Sequence, residues 1–320
     1  MSLLSRFYGN NKVNEALVFY QRDGRFPHGI LLEGEAGLGK KSFAKRIAAA
    51  AVCTGAGEKP CGQCAHCRKI EKGIHPDVVT VAPEEGKRSF KKEQVESLRF
   101  DAYIRPNEAA RKVYILCEAQ YMTVQAQNAL LKILEEPPAG VMFILTCDNR
   151  FKMLETVRSR VVTLALEKVS TEDTVSALME RDPSLDAEKA EQAAVSAGGN
   201  IGQALRFLAD EKYAAVMEKA DALCVKMEKS DRFGILQELS FFENDREGLI
   251  RCLEQMRQLL AQNTKDTFGK KKERRYRILP LQAAKVLAII EQGEEYARQN
   301  MSMPLLTTWL GAGIGSAFEE

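Results

Sequence analysis

Gly34-Glu-Ala-Gly-Leu-Gly-Lys-Lys41 follows the short apolar run His28 to Glu33 and precedes an alanine-rich helical stretch from Lys40 to Cys53. Strand, glycine loop and helix in that order make a phosphate-binding loop, and such a loop restricts the chain to an α/β fold. Gly34, Gly37 and Gly39 let the backbone turn tightly enough for N–H groups to face phosphate, and Lys40 reaches the outer phosphates. The next position normally supplies a serine or threonine hydroxyl to Mg²⁺, and here it is Lys41. A lysine does not ligate a cation. Ser42 is no substitute, because a helical residue points about 100° away from its predecessor. The loop therefore keeps its phosphate-binding architecture while its metal chemistry argues against hydrolysis.

Further strands are expected at Asp77 to Val81, Lys112 to Cys117 and Val141 to Cys147, with helical stretches between them. Strands alternating with helices predict a mainly parallel sheet covered on both faces. Gln125 to Glu136 reads as a helix with Ala129, Leu130, Ile133 and Leu134 on one face, ended by Pro137-Pro138. From about Glu167 strand signals stop. Short helices are expected at Thr171 to Arg181, Ala187 to Ala197 and Gly202 to Leu208, the last after the turn Gly198-Gly199-Asn200. Beyond Asp210 longer helices follow, with Leu249, Ile250, Leu253, Met256 and Leu260 at helical spacing, and Ala283, Val286, Leu287 and Ile290 likewise.

The expected strand Val113 to Glu118 ends where a phosphate-loop enzyme carries two carboxylates, one for the metal shell and one for the attacking water. Cys117 takes the first place and Glu118 stands alone. Mg²⁺ prefers oxygen, so a thiol there is a second loss at the same ion.

Four of the eight cysteines crowd into Cys53, Cys61, Cys64 and Cys67, a C-x7-C-x2-C-x2-C pattern that brings thiolates onto a tetrahedral Zn²⁺. Gly55, Gly57, Pro60 and Gly62 supply the turns of such a knuckle. Free thiols or a redox C-x-x-C are the alternatives, and the third and fourth cysteines at metal spacing weigh against both. No water-activating group adjoins the four, so the site is read as structural. His66, inside the loop, is expected to be exposed. The single cysteines Cys117, Cys147, Cys224 and Cys252 sit in apolar segments and are expected in cores.

The 46 basic and 44 acidic residues leave a net charge of +2, which excludes a strongly cationic nucleic-acid coat. No apolar stretch reaches membrane-spanning length, and residues 1–10 lack the apolar core of a secretory signal. A cytoplasmic protein with no membrane partner is expected.

Taken together, the four-cysteine insertion after the loop helix, Gly73-Ile-His-Pro-Asp77, Asn128-Ala-Leu-Leu-Lys-Ile-Leu-Glu-Glu-Pro-Pro138 and Arg158-Ser-Arg160 resemble the delta-prime subunits of bacterial DNA polymerase III clamp loaders, of the AAA+ class. The resemblance spans nearly the first 210 residues and weakens over the helical remainder. It implies an AAA+ α/β domain over 1–166 with a zinc module at 53–67, a helical lid over 167–210 and an all-α collar, the oligomerisation domain, over 211–320. The motor subunits of the same loader carry a hydroxyl after the loop lysine, an Asp-Glu pair and a lid arginine. Here these are Lys41, Cys117 with Glu118, and Gly202 in Gly199-Asn-Ile-Gly-Gln-Ala204.

The resemblance implies a stator that does not hydrolyse ATP and for which ATP or ADP binding is doubtful. Its Arg160 would act as an arginine finger on a neighbouring subunit's ATP, with Val161 replacing the family's cysteine. The implied partners are the gamma or tau motor and delta subunits in a heteropentamer, the sliding clamp, and primer-template DNA at the replisome of the nucleoid. Thr146 matches a phosphate-sensing position, although a plain strand-end threonine explains it equally. Lys87-Arg88 and Lys91-Lys92 precede a helix that would face the DNA chamber, and such groups add salt-dependent phosphate affinity without reading sequence. A solvated charge run explains them as well. The run Lys270 to Arg277 reads first as an exposed loop. The other functions compatible with the residues are an active gamma or tau-type ATPase, a stand-alone zinc-containing DNA-binding protein, and a phosphotransferase for which no acceptor signature is seen.

Overall fold

The computed structural model describes residues 8–22, 26–83, 89–90, 92–269 and 275–318. The chain forms two compact units, one ending at Gln203 and the other beginning at Ala204.

In the first unit, β1 (Gly29–Glu33), β2 (Val78–Val81), β3 (Lys112–Leu116), β4 (Val141–Cys147) and β5 (Val162–Ala165) form one sheet in the order β2-β3-β4-β1-β5. Every pairing is parallel, with Leu31 opposite Leu145 and Ile30 opposite Val162. The strands read as unbroken apolar runs because alternate residues face two different helical layers. Ile30, Leu32, Val113, Ile115, Met142 and Ile144 pack on one side with Phe43 and Ile47 of α2 (Lys40–Val52) and Leu17 of α1 (Asn11–Arg22). Leu31, Tyr114, Leu116, Phe143 and Leu145 pack on the other, with Val95 and Leu98 of α4 (Lys92–Ala102) and Leu130, Ile133 and Leu134 of α5 (Val124–Glu135).

The predicted strands and α5 are present to within about a residue at each end. On α5, Leu130, Ile133 and Leu134 are buried and Ala129 is half-buried. The strand β5 is an addition to the sequence reading. At four residues, with Val162 and Ala165 exposed, it carries too little apolar signal to stand out.

The chain leaves β1 for the far edge at β2 and returns to the opposite side at β5, so strand order reverses at β1. Ligands of open parallel sheets bind beyond the carboxyl ends of the strands at such a reversal, and Gly34 to Gly39 lies there. The unit also holds α3 (Ala65–Glu71), the short α6 (Glu155–Arg158), α7 (Thr171–Arg181), α8 (Ala187–Ala197) and the start of α9 (Ile201–Ala209).

The second unit is helical: α10 (Glu211–Glu228), α11 (Arg232–Ser240), α12 (Arg246–Phe268), α13 (Pro280–Arg298) and α14 (Met303–Ser316). Aspartates cap the first three, Asp210, Asp231 and Asp245 each accepting a backbone N–H from the first turn. Leu249, Cys252, Leu253, Met256 and Leu260 form the buried stripe of α12, while Ile250 is half-buried. Cys224 and Cys252 are fully buried, as expected of core thiols. The described end of the basic run is tied down: Arg275 pairs with Asp221 at 2.5 Å and the buried Tyr276 donates to the same carboxylate. Residues 270–274 lie outside the described residues. No helix among the described residues is long and apolar enough to cross a membrane.

Candidate functional site

The glycine loop turns as its composition requires. Gly37 and Gly39 have φ of 93° and 76°, a region that non-glycine side chains rarely enter. Gly39 stands at the start of α2, and Lys40 is its first helical residue. The Lys40 ammonium is turned back onto its own loop, donating to the carbonyls of Gly34 and Glu35, the latter at 2.8 Å. Burial pushes its pKa down, against the pull of Asp148. Lys41 is exposed. Cys117 is buried and burial pushes its thiol up, which keeps it neutral and a poor partner for a hard cation. Thr146 is also buried, and its hydroxyl oxygen accepts the N–H of Glu118 at 3.0 Å. That bond ties β4 to the end of β3.

The turn before α9 sits directly on this loop. Asn200 is fully buried, and its side chain donates to Ala36 O at 2.8 Å. The N–H of Gly202 donates to Gly37 O at 3.0 Å. Asn200 appears in the sequence only as a turn residue, and nothing local marks its distant partner.

Arg160 lies at the other end of the sheet. It precedes β5, whose Val162 pairs with Ile30 near the start of β1, whereas the phosphate loop leaves the end of β1 at Gly34. At ~3.3 Å per strand residue the two ends are about 16 Å apart. The Arg160 guanidinium donates to Thr156 O at 2.8 Å and to Ser159 Oγ at 3.2 Å, and pairs with Glu135 at 2.6 Å. It lines an open groove of about 610 Å³ with His28, Gly29, Leu134 and Val162.

The four cysteines converge. Their Sγ atoms all lie within 4.8 Å of one another, with Cys53 and Cys64 at 3.9 Å, close to the ~3.8 Å edge of a tetrahedral zinc–thiolate site. Backbone N–H groups point at the sulfurs: Gly55 and Cys61 to Cys53 at 3.4 Å each, Cys64 to Cys61 at 3.3 Å, and Cys67 to Cys64 at 3.5 Å. Four thiolates on Zn²⁺ carry two net negative charges, and these donors spread them. A Cβ at Gly55 would stand 2.5 Å from Cys61 Sγ, so only glycine fits there. Burial works against ionising Cys64, but the amides of Cys67 and Thr54 and the adjoining thiols hold it down to about 5. Burial pushes Cys53 and Cys67 up. The donor set fits a structural zinc.

His66 corrects the sequence reading. It is half-buried, and its Nδ1 lies 2.8 Å from His75 Nε2. With Glu108 the two imidazoles offer ligand atoms within 4.8 Å of one another. The hydrogen bonds favour a paired, structural role for the two rings over a second metal centre. His75 Nδ1 accepts the N–H of Asp77 at 3.0 Å, so the proton of the neutral ring belongs on Nε2, where it is donated to His66. Burial pushes the His75 pKa down and keeps that ring neutral. Glu108 is held by Lys69 at 2.5 Å.

Asp77 completes the motif. It is fully buried and accepts from the backbone N–H groups of Asn107, Glu108 and Ala109 at 2.6 to 2.8 Å. Gly73 to Asp77 thus fastens the cysteine knuckle and residues 107–109 to the edge of the sheet. The candidate DNA-contact residues Lys87, Arg88 and Lys91 lie outside the described residues, as does the side chain of Lys92 at the start of α4.

A family model described as DNA polymerase III, delta subunit, matches residues 9–170. The DNA polymerase III subunit delta' of Bacillus subtilis (strain 168) is 36% identical over 160 residues, 50% of this chain and 48% of the relative. That of Escherichia coli (strain K12) is 30% identical over 231 residues, 71% of this chain and 68% of the relative. The subunit gamma of Buchnera aphidicola (subsp. Schizaphis graminum, strain Sg) is 35% identical over 151 residues, 47% of this chain and 41% of the relative. The match to the first of these spans about half the relative's length. With the phosphate loop, the cysteine knuckle and Arg160 all inside or beside the matched segment, the chain belongs to the DNA polymerase III delta subunit family, among its delta' members.

Proposed function

We propose that this chain is a clamp-loader subunit of DNA polymerase III that does not hydrolyse ATP itself and donates Arg160 to the ATP of a neighbouring subunit. The observation that carries this reading is the placement of Arg160 and the phosphate loop at opposite ends of one parallel sheet. An arginine about 16 Å along the strands from its own loop has no reach in cis, and a ring of similar subunits would set it against the next loop. Its guanidinium would there stabilise charge developing on the transferred phosphoryl group. Lys41 and Cys117 support the silent-site half of the reading, since both remove oxygen ligands from the same Mg²⁺.

In this reading residues 1–166 are the AAA+ domain, 167–210 the lid and 211–320 the collar that joins gamma or tau and delta subunits. Zn²⁺ on Cys53, Cys61, Cys64 and Cys67 is structural. Loading of the sliding clamp onto primed DNA belongs to the assembly, with Lys91 and Lys92 as candidate phosphate contacts in the cytoplasmic replisome.

The deciding experiment reconstitutes the loader with Arg160→Ala and measures clamp-stimulated ATPase. Removing a finger lowers turnover on the order of 10³-fold at the one site it serves, and if the sites of the ring fire in sequence the overall rate falls several-fold with assembly intact. An unchanged rate removes the finger. The likeness to a gamma subunit supports an alternative in which this chain is itself a motor. Hydrolysis by the purified chain with clamp and DNA, lost on Lys40→Ala, would establish that alternative.

A further inference from the structure

Arg160 is held at both ends of its side chain. Its backbone N–H donates to Val157 O at 3.1 Å, and its guanidinium meets three acceptors: Thr156 O at 2.8 Å, Ser159 Oγ at 3.2 Å and the Glu135 carboxylate at 2.6 Å. The first two belong to α6 and the residue that caps it, whereas Glu135 is the last residue of α5. Both helices are seated in one core, since Val157 is buried in the same cluster as Leu130, Ile133 and Leu134. The Ser159 hydroxyl is fixed in turn, donating to Thr156 O at 3.0 Å, which leaves its lone pairs to the guanidinium.

The three acceptors do not use up the guanidinium. Thr156 and Ser159 take Nη1 and Glu135 takes Nη2, while Nε has no partner among the described residues. Nε and a second hydrogen of Nη2 stay available, and phosphate oxygens accept such a fork in pairs. Glu135 alone of the three acceptors carries a charge, and a charge-assisted pair outweighs a neutral hydrogen bond in deciding where the guanidinium rests. Without it the long side chain spreads over several rotamers, of which only a fraction keep this geometry. The same carboxylate repels an incoming phosphate. It is exposed, however, so solvent screens that repulsion, whereas its contact with Nη2 is direct.

We propose that Glu135 is a positioning residue for Arg160, holding the guanidinium in one geometry with a two-donor fork left open for the phosphate of a neighbouring nucleotide. The inference rests on the reading of Arg160 as a finger and adds the residue through which that finger is preorganised. An exposed pair shifts a side chain's populations by up to about 5-fold, and a donor that must be in place before the reaction loses turnover by about the same factor when the shift is removed.

The test reconstitutes the full loader with Glu135→Ala or Glu135→Gln, each in the parent and in the Arg160→Ala background, and follows phosphate release with clamp and primed DNA over a range of ATP concentrations. Both variants should lower kcat by about 2- to 5-fold at the site that Arg160 serves, seen as a slowed phase of release, with KM for ATP unchanged. In the Arg160→Ala background neither should lower it further, because a role independent of the finger would add its own loss there. An unchanged or raised kcat overturns the proposal, as does an equal fractional loss in the two backgrounds or a loss confined to KM. If Glu135→Ala does not assemble by native mass spectrometry, Glu135→Gln carries the test, because it keeps the size and an acceptor and removes only the charge. Arg160→Ala alone separates the two readings. No loss there sinks the finger, whereas a loss there with none on changing Glu135 sinks the positioning role alone.

Discussion

Arg160 and Glu135 meet at 2.6 Å on the surface, where the carboxylate fixes one side of the guanidinium and Thr156 O the other. Both side chains are substantially exposed, at 34% and 47%. Exposed pairs contribute about 0.2–1 kcal/mol, so Glu135→Gln and Arg160→Ala should each leave thermal unfolding within ~3 °C of the parent. Differential scanning calorimetry checks this. A larger shift would make Arg160 a structural residue and deprive the ATPase experiment of its meaning.

The cysteine knuckle should hold one zinc per chain, measured by atomic emission. Cys53 and Cys67 belong to the same apolar cluster as Ile47 and Val113. Stripping the metal or introducing Cys67→Ser should therefore lower the melting temperature by several degrees, not merely loosen a loop. Because burial raises the Cys53 and Cys67 thiols, both must shed protons to bind, and apparent zinc affinity should fall steeply as pH is lowered. Competition with a chromophoric chelator between about pH 8 and 6 reads this out. An affinity flat with pH would contradict a four-thiolate site.

Burial favours protonation of Asp77, but three backbone amides and the Asn107 side chain outweigh it and hold the carboxyl below its ordinary value. A depressed folded pKa stabilises the protein at pH above the unfolded value, about 3.9, and that stability is lost as pH falls through the folded value. Asp77→Ala strands several buried N–H donors and should cost about 3 kcal/mol at neutral pH. Urea unfolding should show the variant's deficit shrinking below about pH 4. A deficit constant down to pH 2 would assign the effect to packing.

Gly199 has a φ of 86°, and a Cβ there would come within 2.1 Å of Val169 O. Gly199→Ala should destabilise the chain by at least ~2 kcal/mol, with local exchange first rising in residues 167–202. Gly57, whose φ of 84° comes with open space, should tolerate alanine at about half that cost. Equal effects at the two sites would show that backbone conformation alone matters.

Much of this arrangement is legible in the sequence. β4 runs from Val141 to Cys147 and α8 from Ala187 to Ala197, as their apolar runs and helical periodicity predict. The cysteine spacing anticipates convergence because the four residues are near neighbours joined by glycine turns. β5 is not legible there, because a short edge strand with exposed ends lacks a continuous apolar run. The burial of His66 is not legible either, because its partner, His75, is reached only after α3 has turned the chain back.

The sequence by itself determined a mainly parallel α/β sheet with a glycine loop after its first strand, a thiolate cluster, and a helical remainder. These features follow from backbone preferences and side-chain periodicity acting over a few residues. Only the tertiary structure decided that Arg160 stands at the far end of the sheet from that loop, and that Asn200 closes on Ala36 across 164 positions of chain. Both depend on how separately formed elements dock, where a buried hydrogen bond or a missing Cβ sets the contact. Neither leaves a periodic trace in the sequence.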